Sequence, residues 1–277
     1  MEIPKYVEIY RKDLKLKNYA TTSIENYVSQ IKLFLYEHNG KFTEPSKINE
    51  AAIKDWLLKS NSINGRKHRI SALKLFYHFT IKQPMKFKYI EYPKSEKKLP
   101  IVLSQEEVQK MFSVCENLKH KVILALLYSC GLRVSELINL KWNNIDRSRM
   151  IINIIGGKGN KDRQVMLSEK LIPLLEEYYF EYKPKEYILN GQFDLQYSSR
   201  SVGEVIKQLG AKARINKRVW THQMRHNCFT HLVENGIDLH LIQKIAGHNN
   251  IKTTQIYTHI SHNLISKIQS PLAQINL

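Results

Sequence analysis

The sequence predicts a mainly α-helical protein of two domains, with a small β-hairpin in the second domain. Apolar residues recur at helical spacing through most of both halves of the 277-residue chain. A β-rich run at residues 150–155 is followed by a glycine-rich turn and a second short run at 164–167. Residues 83–100 contain three prolines and no apolar periodicity, which indicates a basic linker between domains at 1–82 and 101–277.

Charge and cysteine content narrow the class of protein. The formal net charge is +18, from 43 Lys and Arg against 25 Asp and Glu, which favours a polyanionic partner. A generally basic soluble protein is the alternative. No apolar run approaches the roughly 20 residues of a membrane-spanning helix, so we expect no membrane partner. An odd number of cysteines without metal-ligand spacing, and the lack of a signal-peptide pattern, predict buried reduced thiols and a cytoplasmic location.

The first domain is predicted to be helical. Thr22 and Glu25 have the spacing of a capping box, and Asn39-Gly40 is a typical helix end. A shorter helix follows at 48–58, and turn chemistry at 61–65 precedes a helix at 66–81. This last helix has an apolar face and a separate polar and basic stripe, which is either a DNA-binding face or an ordinary solvated one. The stripe consists of Lys67, Ser71, Lys74 and His78.

The second domain is predicted to alternate helices with the hairpin. Ser104 and Glu107 form a second capping box, and a buried helix at 122–128 ends at Gly131. Further helices are predicted near 171–178, 202–209, 221–235 (capped by Thr221), 239–246 and 251–258. An amphipathic stretch at 264–275 has more apolar surface than a free terminus needs.

Several residues of this domain suit metal-free cleavage of a phosphodiester. That reaction needs a nucleophile, cations for the non-bridging oxygens, an acid for the leaving oxygen and donors that hold the geometry. Arginine binds phosphate bidentately, a hairpin lysine is a mobile acid, and nearby cations favour a tyrosine phenolate. Each of these residues, taken alone, could also have an ordinary structural role. The candidates are Arg133, Lys158, His222, Arg225, His248 and Tyr257, with Glu136 as an ion-pair partner.

Five blocks that contain these residues occur in order, at 131–137, 156–163, 222–226, 246–248 and 253–259. Together they resemble the tyrosine recombinases, or lambda-integrase family, and are most similar to the Xer-type branch. The first half resembles the helical core-binding domain of that family more weakly. The resemblance implies a two-domain, C-shaped clamp around DNA. It also implies site-specific cleavage and rejoining of DNA through a Holliday junction.

The resemblance further implies a role for each matching residue. Arg133 and Arg225 would clamp the scissile phosphate, and Glu136 would orient Arg133. Lys158 would protonate the departing 5′ oxygen, and His222 would transfer protons and contact the phosphate.

The remaining two positions complete the set: His248 would hydrogen-bond the phosphate, and Tyr257 would form a 3′-phosphotyrosyl link. No metal or other cofactor is implied. The implied partners are double-stranded recombination sites and three further protomers of the same protein. Without DNA the protein would be a monomer or dimer. The resemblance is also compatible with accessory or activating proteins as partners. Residues 262–277 would be the segment that docks on a neighbour, and the location would be the nucleoid.

Alternatives remain at this stage. A type IB topoisomerase or a telomere-resolving enzyme would share the chemistry, and a non-catalytic protein could bind DNA through a helix-turn-helix-like pair at 221–246. Within the recombinases, chromosome dimer resolution and mobile-element integration or excision are both open. Because Tyr257 precedes a tail that would dock on a neighbour, we expect it to be poorly placed in a free protomer.

Overall fold

The computed structural model describes residues 1–94, 100–156, 162–191 and 196–260. These residues form helices and one three-stranded antiparallel sheet, which confirms the prediction of a mainly α-helical protein with a small sheet. The chain divides into two compact units, Met1–Lys97 and Lys98–Leu277, each with its own apolar core. Lys158, part of the predicted linker and the predicted docking segment at 262–277 lie outside the described residues.

The described part of the first unit is a small helical bundle. Its elements are α1 (Ile3–Leu16), α2 (Thr21–His38), α3 (Glu50–Leu58) and α4 (Ile63–Phe79), with short 3-10 helices at Pro45–Lys47 and Pro84–Phe87. Helix α2 packs against α1 and α4. The core is aromatic: the Tyr10 and Phe76 rings meet edge to face at 5.3 Å, and Phe34 meets Trp56 at 5.1 Å. Such pairs stabilise a core by about 0.5–1.5 kcal/mol beyond their burial.

Two helix starts in this unit differ from the prediction. Helix α2 is capped by the extended residue Ala20, and no side chain caps it. Thr22 lies inside the first turn and the Glu25 carboxylate pairs with Arg11, so the predicted capping box is wrong. Helix α4 begins within the predicted turn, because the Ser62 hydroxyl accepts a hydrogen bond from the third residue beyond it at 3.0 Å.

The predicted linker at 83–100 also starts too early. Phe87 is 3% exposed and Ile90 is 6% exposed, and both belong to the core of the first unit. The Phe87 ring lies 5.0 Å from that of Tyr77 on α4. Ile90 lies three positions after Phe87, a spacing that places both side chains on one side of a helical turn and buries them together. Residues 83–90 are therefore part of the first unit.

The second unit surrounds one buried helix. Its described elements are α5 (Gln105–Ser113), α6 (Leu118–Ser129), α7 (Val134–Ile138), β1 (Ile145–Asp146), β2 (Ile151–Ile154), β3 (Arg163–Met166), α8 (Leu171–Tyr182), α9 (Ser199–Lys212), α10 (Thr221–Glu234), α11 (Leu239–Ala246), α12 (Ile251–Thr254) and α13 (Ile256–Ile260). Helix α6 is apolar on most sides, and it packs against α8 and α10. This sequence character explains its central position.

The sheet has the order β1-β2-β3. Strands β2 and β3 form the predicted hairpin, with Ile152 opposite Val165 and Ile154 opposite Arg163. Strand β1, which has only two residues, was not predicted because so short a run carries no periodicity. The register matters for the site, since it fixes Arg163 at the first position of β3.

Three helix termini of the second unit were predicted from the sequence. The predicted capping box at Ser104 and Glu107 is present, with hydrogen bonds of 3.2 and 2.8 Å. Thr221 is not a cap: α10 is preceded by the extended residue Trp220. Gly131, with φ +58°, follows α6, and a Cβ there would lie 2.6 Å from the Phe229 ring. Only glycine fits both the backbone conformation and the space.

All three cysteines are free and buried, as the sequence predicts. Across the part of the chain that the structure describes, no helix is both long enough and apolar enough to span a membrane.

Candidate active site

Residues from four separate elements of the second unit meet at one site. Arg225 lies on α10, Arg133 directly precedes α7, His248 follows α11 and Tyr257 lies on α13. Both arginines donate to the carbonyl oxygen of Ala246, Arg133 at 3.3 Å and Arg225 through a short bond. The Nη2 atom of Arg225 lies 3.4 Å from Nε2 of His248, whose ring stacks on Tyr257 with planes 18° apart. The structure therefore brings four of the predicted catalytic residues together.

Arg225 is the most deeply placed cation of the site, with 1% of its surface exposed. It donates to the Gly131 carbonyl at 2.5 Å and stacks over the Phe229 ring at 4.7 Å. Burial, with a further contribution from Arg133, lowers the pKa of Arg225 to about 10. The guanidinium therefore keeps its charge at neutral pH, and its orientation is fixed by backbone carbonyls.

Arg133 shares the carboxylate of Glu136 with a third arginine. Arg133 donates to Glu136 Oε1 from its side chain and to Oε2 from its backbone, both at 2.7 Å. Arg163 donates to the same two oxygens at 2.6 and 2.7 Å. Burial alone would raise the pKa of Glu136, but these hydrogen bonds and charges hold it at about 2. The predicted pairing of Glu136 with Arg133 is present in the structure.

The described residues of the site carry more positive than negative charge. Arg133, Arg163 and Arg225 face a single carboxylate, that of Glu136, which leaves an excess of two positive charges. The Arg133 side chain is 20% exposed, whereas those of Arg163 and Glu136 are 7% and 4% exposed. An anion would therefore approach the cluster from the side of Arg133.

His248 is held by hydrogen bonds on both sides of its ring. Nδ1 lies 3.0 Å from Oγ1 of the buried Thr254, and Nε2 faces Arg225. Burial and the neighbouring arginines lower the pKa of His248 to about 4, so the ring is neutral at pH 7. Gly247 has φ +62°, and a Cβ there would lie 2.9 Å from Cδ of Arg163. The turn that presents His248 thus depends on glycine.

His222 and His226 pack against each other one turn apart on α10, with ring centroids 4.6 Å apart. Partial removal from water and the charges of Arg225 and Arg133 lower the pKa of His222. Burial and the neighbouring His222 lower that of His226 to about 4. The His226 ring lies 5.7 Å from that of Tyr257, which connects His222 to the tyrosine through a neutral neighbour.

Tyr257 is packed into the site, with 2% of its surface exposed. Its ring lies between those of His248, His226 and Phe229, the last at 5.5 Å. The Tyr257 ring is therefore packed at the site, while the expectation that its hydroxyl is poorly placed for attack in a free protomer stays a prediction. Within the described residues no hydrogen bond joins its hydroxyl to an arginine. Burial outweighs the charge of Arg225 and raises the pKa of Tyr257 to about 12, so the expected bias towards phenolate is absent here.

No cluster of three His, Cys, Asp or Glu side chains within the described ranges has the geometry to hold a metal ion.

Comparisons with known proteins agree with this geometry. A model of the phage integrase family matches residues 102–263. The tyrosine recombinase XerD of Staphylococcus aureus is 32% identical over 275 residues, which cover 94% of this chain and 89% of the relative. The tyrosine recombinase XerA of Pyrococcus horikoshii is 39% identical over 197 residues, covering 69% of this chain and 68% of the relative. The chain belongs to the tyrosine recombinase family.

Solved structures resemble this tyrosine recombinase along nearly its whole length. A crystal structure of XerA recombinase has a TM-score of 0.57 at 27% identity, covering 97% of this chain and 100% of that one. A lambda integrase tetramer bound to a Holliday junction has a TM-score of 0.77 at 18% identity, covering 96% and 79%. At that identity the second likeness shows the fold alone.

The predicted basic stripe of the tyrosine recombinase lies on α4, in the first unit. Lys67, Ser71 and Lys74 are half-buried and His78 is exposed. The Ser71 hydroxyl lies 3.2 Å from that of Tyr92, and the Lys74 ammonium lies 4.8 Å from the centre of the same ring.

Sequence reasoning missed Arg163 as a residue of the site. It closes the hairpin block at 156–163 but was given no role, because its partner Glu136 lies 27 residues earlier. The sequence did contain a signal, because Arg163 begins a short strand and the carboxylate of Glu136 had been given only one partner, Arg133. Position 158, the predicted hairpin lysine, lies outside the described residues.

Proposed function

We propose that Arg133, Arg225 and His248 hold one scissile phosphate of DNA while Tyr257 attacks it. Two excess positive charges next to a buried tyrosine carry this proposal. A phosphodiester has one negative charge, and the pentavalent transition state has more, so cations fixed in advance stabilise the transition state most. The backbone carbonyls of Gly131 and Ala246 already fix the two guanidinium groups before DNA binds.

The first chemical step transfers a bond from the leaving oxygen to Tyr257. The phenolic oxygen attacks phosphorus, the bond to the 5′ oxygen breaks, and the phosphate stays on Tyr257 as a 3′-phosphotyrosine. With a pKa of about 12 the hydroxyl is protonated at neutral pH, so its proton must leave as the new bond forms. We assign its transfer to His222, which is neutral at pH 7, and protonation of the 5′ oxygen to Lys158.

Rejoining reverses these steps with a different 5′ hydroxyl. The phosphotyrosyl bond keeps the free energy of the phosphodiester, so no nucleotide cofactor is needed to reseal the strand. Two such rounds, one for each pair of strands, exchange two duplexes through a Holliday junction. Attack also requires the Tyr257 hydroxyl to reach the phosphate, and because only 2% of this residue is exposed we infer that its segment moves when DNA binds.

We further propose that four protomers assemble on two paired sites, with 262–277 as the segment that docks on a neighbour. The fold shared with a lambda integrase tetramer on a Holliday junction supports this assembly. The first unit would add DNA contacts through the stripe of Lys67, Ser71, Lys74 and His78. A net charge of +18 supports a nucleoid location. Chromosome dimer resolution and mobile-element exchange are both consistent with this chemistry.

A nicked suicide substrate tests the proposal. Cleavage releases a short fragment that carries the 5′ hydroxyl needed for rejoining, and loss of this fragment traps the covalent complex. The wild-type protein should form an adduct that survives denaturing electrophoresis, and Tyr257→Phe should bind the DNA without forming one. Lys158→Ala should cleave slowly and recover on a 5′-thio substrate, whose leaving group needs little protonation. An adduct formed by Tyr257→Phe would reassign the nucleophile. Equal adduct formation on DNA without a specific site would favour the topoisomerase alternative.

A further inference from the structure

Arg163 connects three of the sequence blocks that build the site. Its guanidinium donates bidentately to Glu136, which lies in the first turn of α7 just after Arg133. Its Nε donates at 2.8 Å to the carbonyl of Ile245, at the end of α11. Arg163 itself is the first residue of β3, and its side chain is only 7% exposed. All three of its guanidinium nitrogens donate to protein acceptors, so we assign Arg163 no direct contact with phosphate.

The hydrogen bonds around Glu136 explain what Arg163 does to Arg133. A carboxylate has about four lone-pair positions, and four donors fill them here, two from each arginine. If Arg163 were absent, Glu136 would be a full negative charge shared by Arg133 alone. That charge would offset the positive charge of Arg133 and would repel an incoming phosphate.

The same side chain supports the turn before His248. The bond to the Ile245 carbonyl holds the end of α11, and Gly247 approaches the Arg163 stem so closely that a Cβ would lie 2.9 Å away. The Arg163 side chain therefore lies against the segment that presents His248, while the β2–β3 register holds its backbone opposite Ile154.

We propose that Arg163 is a positioning residue for strand cleavage. It neutralises Glu136 so that Arg133 keeps its charge for the scissile phosphate, and it fixes the turn that presents His248. The inference rests on the proposed role of Arg133 and assigns Arg163 no contact with the reacting atoms. Its arm length and its planar fork are both needed, because a lysine cannot donate to both Glu136 oxygens and to Ile245 in this geometry.

The test measures single-turnover cleavage of the suicide substrate and DNA affinity for Arg163→Met, Arg163→Lys, Glu136→Gln and the Arg163→Met/Glu136→Gln pair. Arg163→Met should cleave roughly 10- to 100-fold more slowly, the range expected when a catalytic group is displaced by up to about 1 Å. Its DNA affinity should stay within about threefold. The double variant should be faster than Arg163→Met, because glutamine removes the unpaired negative charge and still accepts from Arg133.

Two further outcomes distinguish a positioning role of Arg163 from an effect of its net charge and from a folding defect. Arg163→Lys, which keeps the charge but not the fork, should remain slow; a rate like that of wild type would reduce the effect to net charge and overturn the proposal. A double variant as slow as Arg163→Met would also overturn it. Arg147→Met, which breaks the exposed pair with Glu176, is the matched control and should behave as wild type. If Arg163→Met melts early, the double variant decides, because relief of repulsion restores the rate only in a folded site.

The assay also distinguishes failure of this inference from failure of the proposed function. Wild type that forms no adduct, or Arg133→Ala that cleaves normally, would refute the phosphate clamp itself. If Arg133→Ala loses cleavage as expected but Arg163→Met is fully active, only the role of Arg163 is refuted.

Discussion

Four glycines of the second unit allow the cost of backbone strain to be separated from the cost of steric overlap. Gly131 has φ +58° and an added Cβ would lie 2.6 Å from Phe229. Gly236 has φ +82° with open space around it, and Gly210 has an ordinary φ but would place a Cβ 2.7 Å from Val219. Gly203 has neither problem. Alanine at each position therefore samples one combination of the two effects.

The expected changes in the free energy of unfolding follow from general magnitudes. A left-handed backbone conformation costs a non-glycine residue about 1–2 kcal/mol, so Gly236→Ala should destabilise by that amount. Overpacking a core costs about 1–3 kcal/mol, and Gly210→Ala offsets part of it by up to about 1 kcal/mol of helix propensity. Gly203→Ala, inside α9, should stabilise by up to about 1 kcal/mol. Gly131→Ala combines both costs, about 2–5 kcal/mol in total.

The Gly131 variant should also reduce activity, because Phe229 lies beneath Arg225 and against Tyr257. Chemical denaturation of all four variants, monitored through the unfolding transition of the second unit, gives their free energies of unfolding. The suicide substrate gives their cleavage rates. Gly210→Ala is the activity control, since Val219 belongs to the main apolar core of the second unit, whereas Phe229 and Tyr257 belong to a separate apolar cluster. A Gly131→Ala variant no less stable than Gly236→Ala would refute the argument that Phe229 cannot move.

Three further predictions concern the cap, the histidines and DNA binding. Ser104→Ala should lower the free energy of unfolding by about 1 kcal/mol in urea titrations, whereas Thr22→Ala, whose predicted capping box is absent, should change it little. His226 and His248 have pKa values lowered to about 4, so the unfolded chain binds more protons and stability should fall from pH about 6.5 to about 4. His226→Gln should flatten that fall, and an unchanged slope would contradict the burial argument. Lys74→Gln should reduce the salt dependence of DNA binding by about one unit of slope in log Kd against log salt; an unchanged slope would remove Lys74 from the DNA contacts.

Much of the fold follows from local sequence chemistry. The capping box at Ser104, the glycine after α6 and the β2–β3 hairpin are confirmed because each depends on residues close together in the chain. The capping box at Thr22 is wrong because Ala20 can begin a helix through its backbone alone, while Glu25 has a better partner in Arg11. Spacing shows which bonds are available, but tertiary contacts decide which of them form.

The site was predictable as a set of residue types but not as an arrangement. Charge and motif order identified Arg133, Arg225, His248 and Tyr257, which the structure brings together. Two features depended on distant contacts and were missed. Arg163 acquires its partner only when the fold brings β3 within reach of Glu136. Tyr257 is buried because α13 packs on α10, and this burial raises rather than lowers its pKa.

Identification of the residue that carries DNA in the trapped complex tests whether Tyr257 is the nucleophile. The wild-type adduct on a suicide substrate is digested with protease and nuclease, and the modified peptide is sequenced by mass spectrometry. We expect a nucleotide attached through a 3′ phosphate to Tyr257, and loss of that peptide when Arg133 or Arg225 is replaced by alanine. A phosphotyrosyl peptide from any other position, or a 5′ phosphate linkage on Tyr257, would contradict this expectation.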